Sequence, residues 1–69
     1  MINTLKLKAK IVERGYNYQT MAEIMGLSAC TFGKKMRGAA TMTVVEAEQM
    51  IKILEIPKDE VVEYFFMDD

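Results

Sequence analysis

NYQTMAEIMGLSACTFGKKMRG, running from Asn17 to Gly38, is the stretch on which the fold turns. Asn17 can accept from the free backbone N–H groups of the turn that follows it, so it predicts a helix N-terminus. Tyr16 before it and Met21 after it have the spacing of a hydrophobic staple. Met21, Ala22, Ile24 and Met25 supply apolar positions for a helix of about two turns over Tyr18 to Met25, which Gly26 can end in the left-handed conformation. Ser28 is the next N-cap, only two residues past Gly26. Phe32 and Met36 are four apart and point one way, while Lys34 and Arg37 point elsewhere. Gly38 closes this helix. Gly33 within it weakens the helix by about 1 kcal/mol relative to alanine, so the helix must lean on tertiary packing. The spacing predicts a helix-turn-helix pair with its core at residues 17–38. Ala22 must be small because the following helix crosses close above it, Gly26 must permit the tight turn, and Phe32 must anchor the second helix.

Working outward, Asn3 to Arg14 reads as an amphipathic helix ended by Gly15. Leu5, Ala9 and Val12 fall on one stripe with Leu7 and Ile11 beside it, and Lys6, Lys10, Glu13 and Arg14 gather on the other side. Beyond Ala39 to Met42, Thr43 and Glu46 form an S/T-x-x-E capping box, after which Val44, Ala47, Met50, Ile51 and Leu54 keep one face apolar. Pro57 suits a helix's first turn, and Asp59 and Glu60 complement the positive end of its dipole. Val61, Val62, Phe65 and Phe66 pair at i, i+4 in that fifth helix. The expected fold is all-α, five helices in one domain over residues 1–69.

The chain has 69 residues, 51% of them apolar, with seven methionines and no tryptophan. At helical spacing the methionines read as core rather than as an adaptable binding surface. Cys30 is the only cysteine and there is no histidine, so neither an internal disulfide nor a zinc cluster nor an imidazole base can be assembled. The longest apolar run is the four residues Tyr64 to Met67, against the roughly 20 a membrane helix needs. With no signal-peptide pattern, the expectation is a cytoplasmic protein. The carboxylates form no plausible catalytic pair and no Gly-rich phosphate loop exists, so the chain reads as a non-enzyme without cofactor, metal or small-molecule ligand. The net charge of −1 hides an asymmetry: residues 1–40 carry seven basic against two acidic residues, and residues 41–69 carry two against eight. A net +5 half beside a net −6 half suggests a basic face for a polyanion and an acidic back.

From Asn17 to Phe66 the chain resembles the Cro and repressor family of bacteriophage and bacterial regulators. The matching residues are Ala22-Glu23, Gly26-Leu27-Ser28, Thr31-Phe32, Lys34 and Gly38, followed by the Thr43-x-x-Glu46 helix and by Leu54-x-Ile56 running into Val61-x-x-Tyr64-Phe65-Phe66. It looks closest to short phage-encoded variants whose reading helix ends Lys35-Met36-Arg37-Gly38. The resemblance implies a lambda-repressor-like domain that binds double-stranded DNA, with the second helix of the motif in the major groove. It implies that Ala29, Cys30, Thr31, Gly33 and Lys34 face the groove, with Ser28 at its edge, and that Tyr18, Gln19, Lys35 and Arg37 lie near phosphates. The family commonly has a glutamine where Tyr18 stands, so either Tyr18 or Gln19 takes its phosphate contact. Lys35 occupies a position often apolar, so Met36 fills that core slot. Cys30 offers a small surface to a thymine methyl or a sugar. Val62, Phe65, Phe66 and Met67 either cap the core or join two copies, since so small a domain has little interior. The expected function is a dimeric, sequence-specific transcriptional regulator. The rival is a protein-interaction module of anti-repressor or antitoxin type that keeps the fold and uses the apolar C-terminal edge.

Overall fold

Side-chain caps start four of the five α-helices in the computed structural model, which describes residues 2–66. Asn3 caps α1 (Thr4–Glu13), Asn17 caps α2 (Tyr18–Met25), Ser28 caps α3 (Ala29–Arg37) and Thr43 caps α4 (Val44–Leu54), each accepting from the backbone N–H three residues on. A 3-10 turn at Lys58–Glu60 then leads into α5 (Val61–Phe65). Each such cap is worth about 1 kcal/mol over alanine. No strand occurs among the described residues, so the all-α class stands. The Thr43–Glu46 capping box closes as expected. A second one closes at Asn17, where the Thr20 hydroxyl accepts from the Asn17 N–H at 2.9 Å. Gly26 and Gly38 end α2 and α3 with φ of 73° and 81°, a conformation that strains any residue bearing a Cβ. Glu55 ends α4 in the same region at φ 54° without that freedom.

Leu7, Ile11, Met21, Phe32, Met36, Met50 and Leu54 are fully buried. Burial of side chains this size contributes roughly 1.5–3 kcal/mol each. Every α-helix except α5 supplies one of these residues, and α5 adds Tyr64 and Phe65.

The orientation of α1 departs from its apolar count. Leu7 and Ile11 face the core, whereas Leu5 and Val12 are 68% and 67% exposed and Ala9 is exposed too. The reason lies in polar cross-links along the helix. The Asn3 N–H donates to the Tyr64 carbonyl at 2.7 Å, the Thr4 hydroxyl to the Met36 carbonyl at 2.6 Å, and Arg14 Nε to the Leu54 carbonyl at 2.8 Å. Arg14, though exposed, therefore serves the unsatisfied carbonyl end of α4. Two further apolar positions, Ile24 and Val44, are exposed at 52% and 77%. Pro57 is extended, with ψ 148°, and precedes the 3-10 turn; α5 itself begins only at Val61.

Candidate nucleic-acid interface

No pair of helices packs more extensively than α2 and α3. Met21, Ala22 and Met25 of α2 and Phe32, Gly33 and Met36 of α3 are the buried positions. The turn between them is braced by the Leu27 N–H, which donates to the Ala22 carbonyl at 2.8 Å. The Tyr18 ring meets Phe32 edge to face, with centroids 5.2 Å apart and planes at 86°, an arrangement worth about 0.5–1.5 kcal/mol beyond area burial. Partial burial pushes the Tyr18 hydroxyl above its ordinary range, against a weaker opposing pull from Arg37. Tyr18 is therefore a neutral O–H donor at physiological pH, anchored by its ring at the head of α2.

With Phe32 and Met36 turned inward, the opposite side of α3 presents Cys30, Lys34 and Arg37 to solvent. Gln19, Ser28 and Ala29 are exposed as well. Ser28 Oγ caps α3 and also donates to the Thr31 hydroxyl at 2.9 Å, so half-buried Thr31 is part of the cap. Two expected surface residues lie elsewhere. Gly33 is buried on the side of α3 nearest α1. Lys35 reaches toward α4, where its Nζ donates to Glu46 Oε1 at 2.8 Å and to the Thr41 carbonyl at 3.0 Å. Its side chain is only 13% exposed, so Lys35 locks α3 to the start of α4 and is not presented for a phosphate. The hydrogen bond from Lys35, aided by that from the Thr43 N–H, holds the Glu46 carboxyl below its ordinary value of 4.5.

An open hollow of about 630 Å³ lies between α1 and α3. Tyr18, Ala29, Cys30, Gly33 and Arg37 line it from α2 and α3, and Thr4, Leu5 and Lys8 line it from α1. None of the site residues expected from the sequence lies on α1. The available signal was Lys8, which stood outside the stripe of Lys6, Lys10 and Arg14. Those residues are engaged: Lys6 pairs with Glu63 at 2.8 Å, Lys10 with Glu13 at 3.1 Å, and Arg14 with helix-end carbonyls. Among the described residues Lys8, Lys34 and Arg37 make no ion pair. They are the uncommitted cations of the basic half, and all three stand on α1 and α3.

The other expected contact surface lies at the C-terminal edge. An apolar groove of about 260 Å³ runs between the start of α4 and α5, lined by Met42, Val44, Ala47, Ile51, Val61 and Phe66 among others. Val62 and Phe66 are 52% and 71% exposed. Phe65 is only 5% exposed and belongs to the core, because α5 packs that side of its single turn and a half against α1. Met67 lies outside the described residues. Among the described residues no cluster of acidic, cysteine or histidine side chains could hold a metal ion, and no helix is long and apolar enough to cross a membrane.

A family model described as "Protein of unknown function (DUF739)" matches residues 2–68. No curated protein and no solved structure matches the chain.

Proposed function

The chain belongs to the DUF739 family, and we propose that it is a sequence-specific DNA-binding regulator of the Cro and repressor type, without catalytic activity. The observation that carries this reading is that Lys8, Lys34 and Arg37, without an acidic partner among the described residues, stand on α1 and α3, with Lys8 and Arg37 lining one hollow beside a helix whose other side is anchored by Phe32 and Met36. Phosphate contacts by such residues supply affinity that depends on salt, and side chains on the exposed side of α3 supply preference among base pairs. Lys34, exposed on that side, reads a base edge, and Tyr18 and Gln19 at the head of α2 hold a phosphate.

One reading helix offers too few base contacts to select a site in a genome, so the protein acts as a dimer on a two-fold operator. Its described residues span 29 × 24 × 20 Å, small enough for two copies to sit side by side on major grooves about 34 Å apart. The groove beside Phe66 is the surface that joins them. The same groove supports the second reading, a protein-interaction module that keeps the fold and does not read DNA.

Selection from random duplexes with the purified protein separates the two. One enriched palindrome, bound with an affinity that falls as salt rises, is the expected result. Absence of any enriched sequence together with salt-independent or undetectable duplex binding removes the DNA reading and leaves the interaction module.

A further inference from the structure

Gly15, Gly26 and Gly38 all have φ between 73° and 84°, so the backbone requires glycine at each of these positions. Gly33 is different. It sits inside α3 with ordinary helical geometry, and a Cβ added there would meet only the flexible end of Arg37, its Nη1 at 3.5 Å, which is ordinary van der Waals contact. The fold has room for alanine at this position and loses helix stability by lacking it. What the missing methyl does provide is room, because Gly33 lines the hollow between α1 and α3 together with Ala29 and Cys30. Lys8 of α1 and Arg37 of α3 also line the hollow, both without an acidic partner among the described residues.

We infer that the α1–α3 hollow seats one sugar–phosphate strand of the DNA, with Lys8 and Arg37 holding its phosphates and buried Gly33 leaving open, by its missing Cβ, the space beside the Arg37 guanidinium in which the strand lies. The inference rests on the DNA reading above and extends it to α1, which thereby becomes part of the interface. An open hollow of about 630 Å³ between two cations suits a chain passing through it rather than a small ligand enclosed within it. Exposed Leu5 at its rim gives a deoxyribose an apolar surface. Lys8 contributes position and affinity but no base preference, since phosphates carry no sequence.

The test uses the full chain, its selected duplex and a random duplex, titrated across salt concentrations, with K34A as reference. G33A is expected to melt several degrees above the parent, as a helix-interior Gly→Ala change in a domain this size allows, yet to bind the selected duplex at least tenfold more weakly. K8A is expected to weaken selected and random duplex alike and to lower the slope of log affinity against log salt by about 0.9. Inorganic phosphate at the same ionic strength should not compete more than chloride does. If K34A loses the selected site while G33A and K8A bind like the parent, the hollow is not part of the interface, although the DNA reading survives. If G33A melts below the parent, the fold itself needs the glycine and the inference falls. A parent that binds no duplex overturns both proposals, and competition by an acidic peptide in preference to DNA reassigns the hollow to a protein partner.

Discussion

Two concave surfaces of this small domain differ in what surrounds them. The α1–α3 hollow is the larger and more open, and its charged lining is cationic, Lys8 and Arg37. The groove between α4 and α5 is smaller and apolar throughout, apart from Thr43 and Glu48. Both are built by helices around one core, so the contrast arises from how charges are committed. On the basic side Lys6, Lys10 and Lys35 are consumed by ion pairs, which leaves Lys8, Lys34 and Arg37 unpaired among the described residues on α1 and α3. On the acidic side the apolar residues that α4 and α5 cannot bury remain at the surface, Val44, Val45, Val62 and Phe66 being 52% to 77% exposed. On the proposed reading a polyanion would take the first surface, whereas the second could gain only by covering apolar area.

Removing the support common to both surfaces has the largest expected effect. Phe32 is fully buried and carries Tyr18 on its face. Phe32→Ala should destabilise the domain by about 3–5 kcal/mol, comparable with the whole stability of so small a fold. Thermal and urea melting should show loss of the cooperative transition. An unchanged Tm would mean that the ring does not bridge α2 and α3 as described.

Breaking only the cationic side calls for Lys34→Ala. Lys34 is exposed and unpaired among the described residues, so the melting curve should move little. Specific binding should weaken by about 1–3 kcal/mol, the worth of a good base contact, with relaxed preference at one base pair. Equal losses on specific and random duplex would reassign Lys34 to a phosphate.

The apolar side is broken by Phe66→Asp, a substitution that an exposed position tolerates. Operator affinity should fall tenfold or more, about 1.4 kcal/mol, while weak non-specific binding persists. Light scattering and stoichiometric titration should show a monomer filling half-sites without cooperativity. A variant that still bound a full palindrome as tightly as the parent would place the dimer contact elsewhere.

The smallest change concerns the device that keeps Lys35 out of the cationic face. Glu46 receives both Lys35 and the Thr43 N–H, so Glu46→Gln should cost about 1–2 kcal/mol through a weakened cap and a lost ion pair. Because its carboxyl is held below 4.5 in the folded chain, its contribution is present in full above that pH and is lost as pH falls through the depressed folded value. Chemical denaturation of parent and variant should therefore converge below pH 4.5 and differ most near neutrality. A gap that stayed constant across this range would show that the ion pair adds nothing.

Sequence alone determined the parts whose physics is local. Both ends of α2 and α3 and the start of α4 follow from Asn17, Ser28, Thr43, Gly26 and Gly38, because a cap acts within one turn of its own residue. Phe32 and Met36 were legible as the buried side of α3, because each helix shows its periodicity in a dozen residues. Tertiary structure decided whatever depends on partners far along the chain. The rotation of α1 was set by Tyr64, Met36 and Leu54, which lie 61, 32 and 40 residues from the groups they bind, so counting its apolar residues put Leu5 and Val12 on the wrong side. Lys35 and Lys34 are neighbours with the same chemistry, yet only Lys35 is 11 residues from a carboxylate that lies within reach of its ammonium. Lys8 entered the candidate site for the same reason: two helices separate in the chain line one hollow, and a hollow between elements belongs to neither sequence segment.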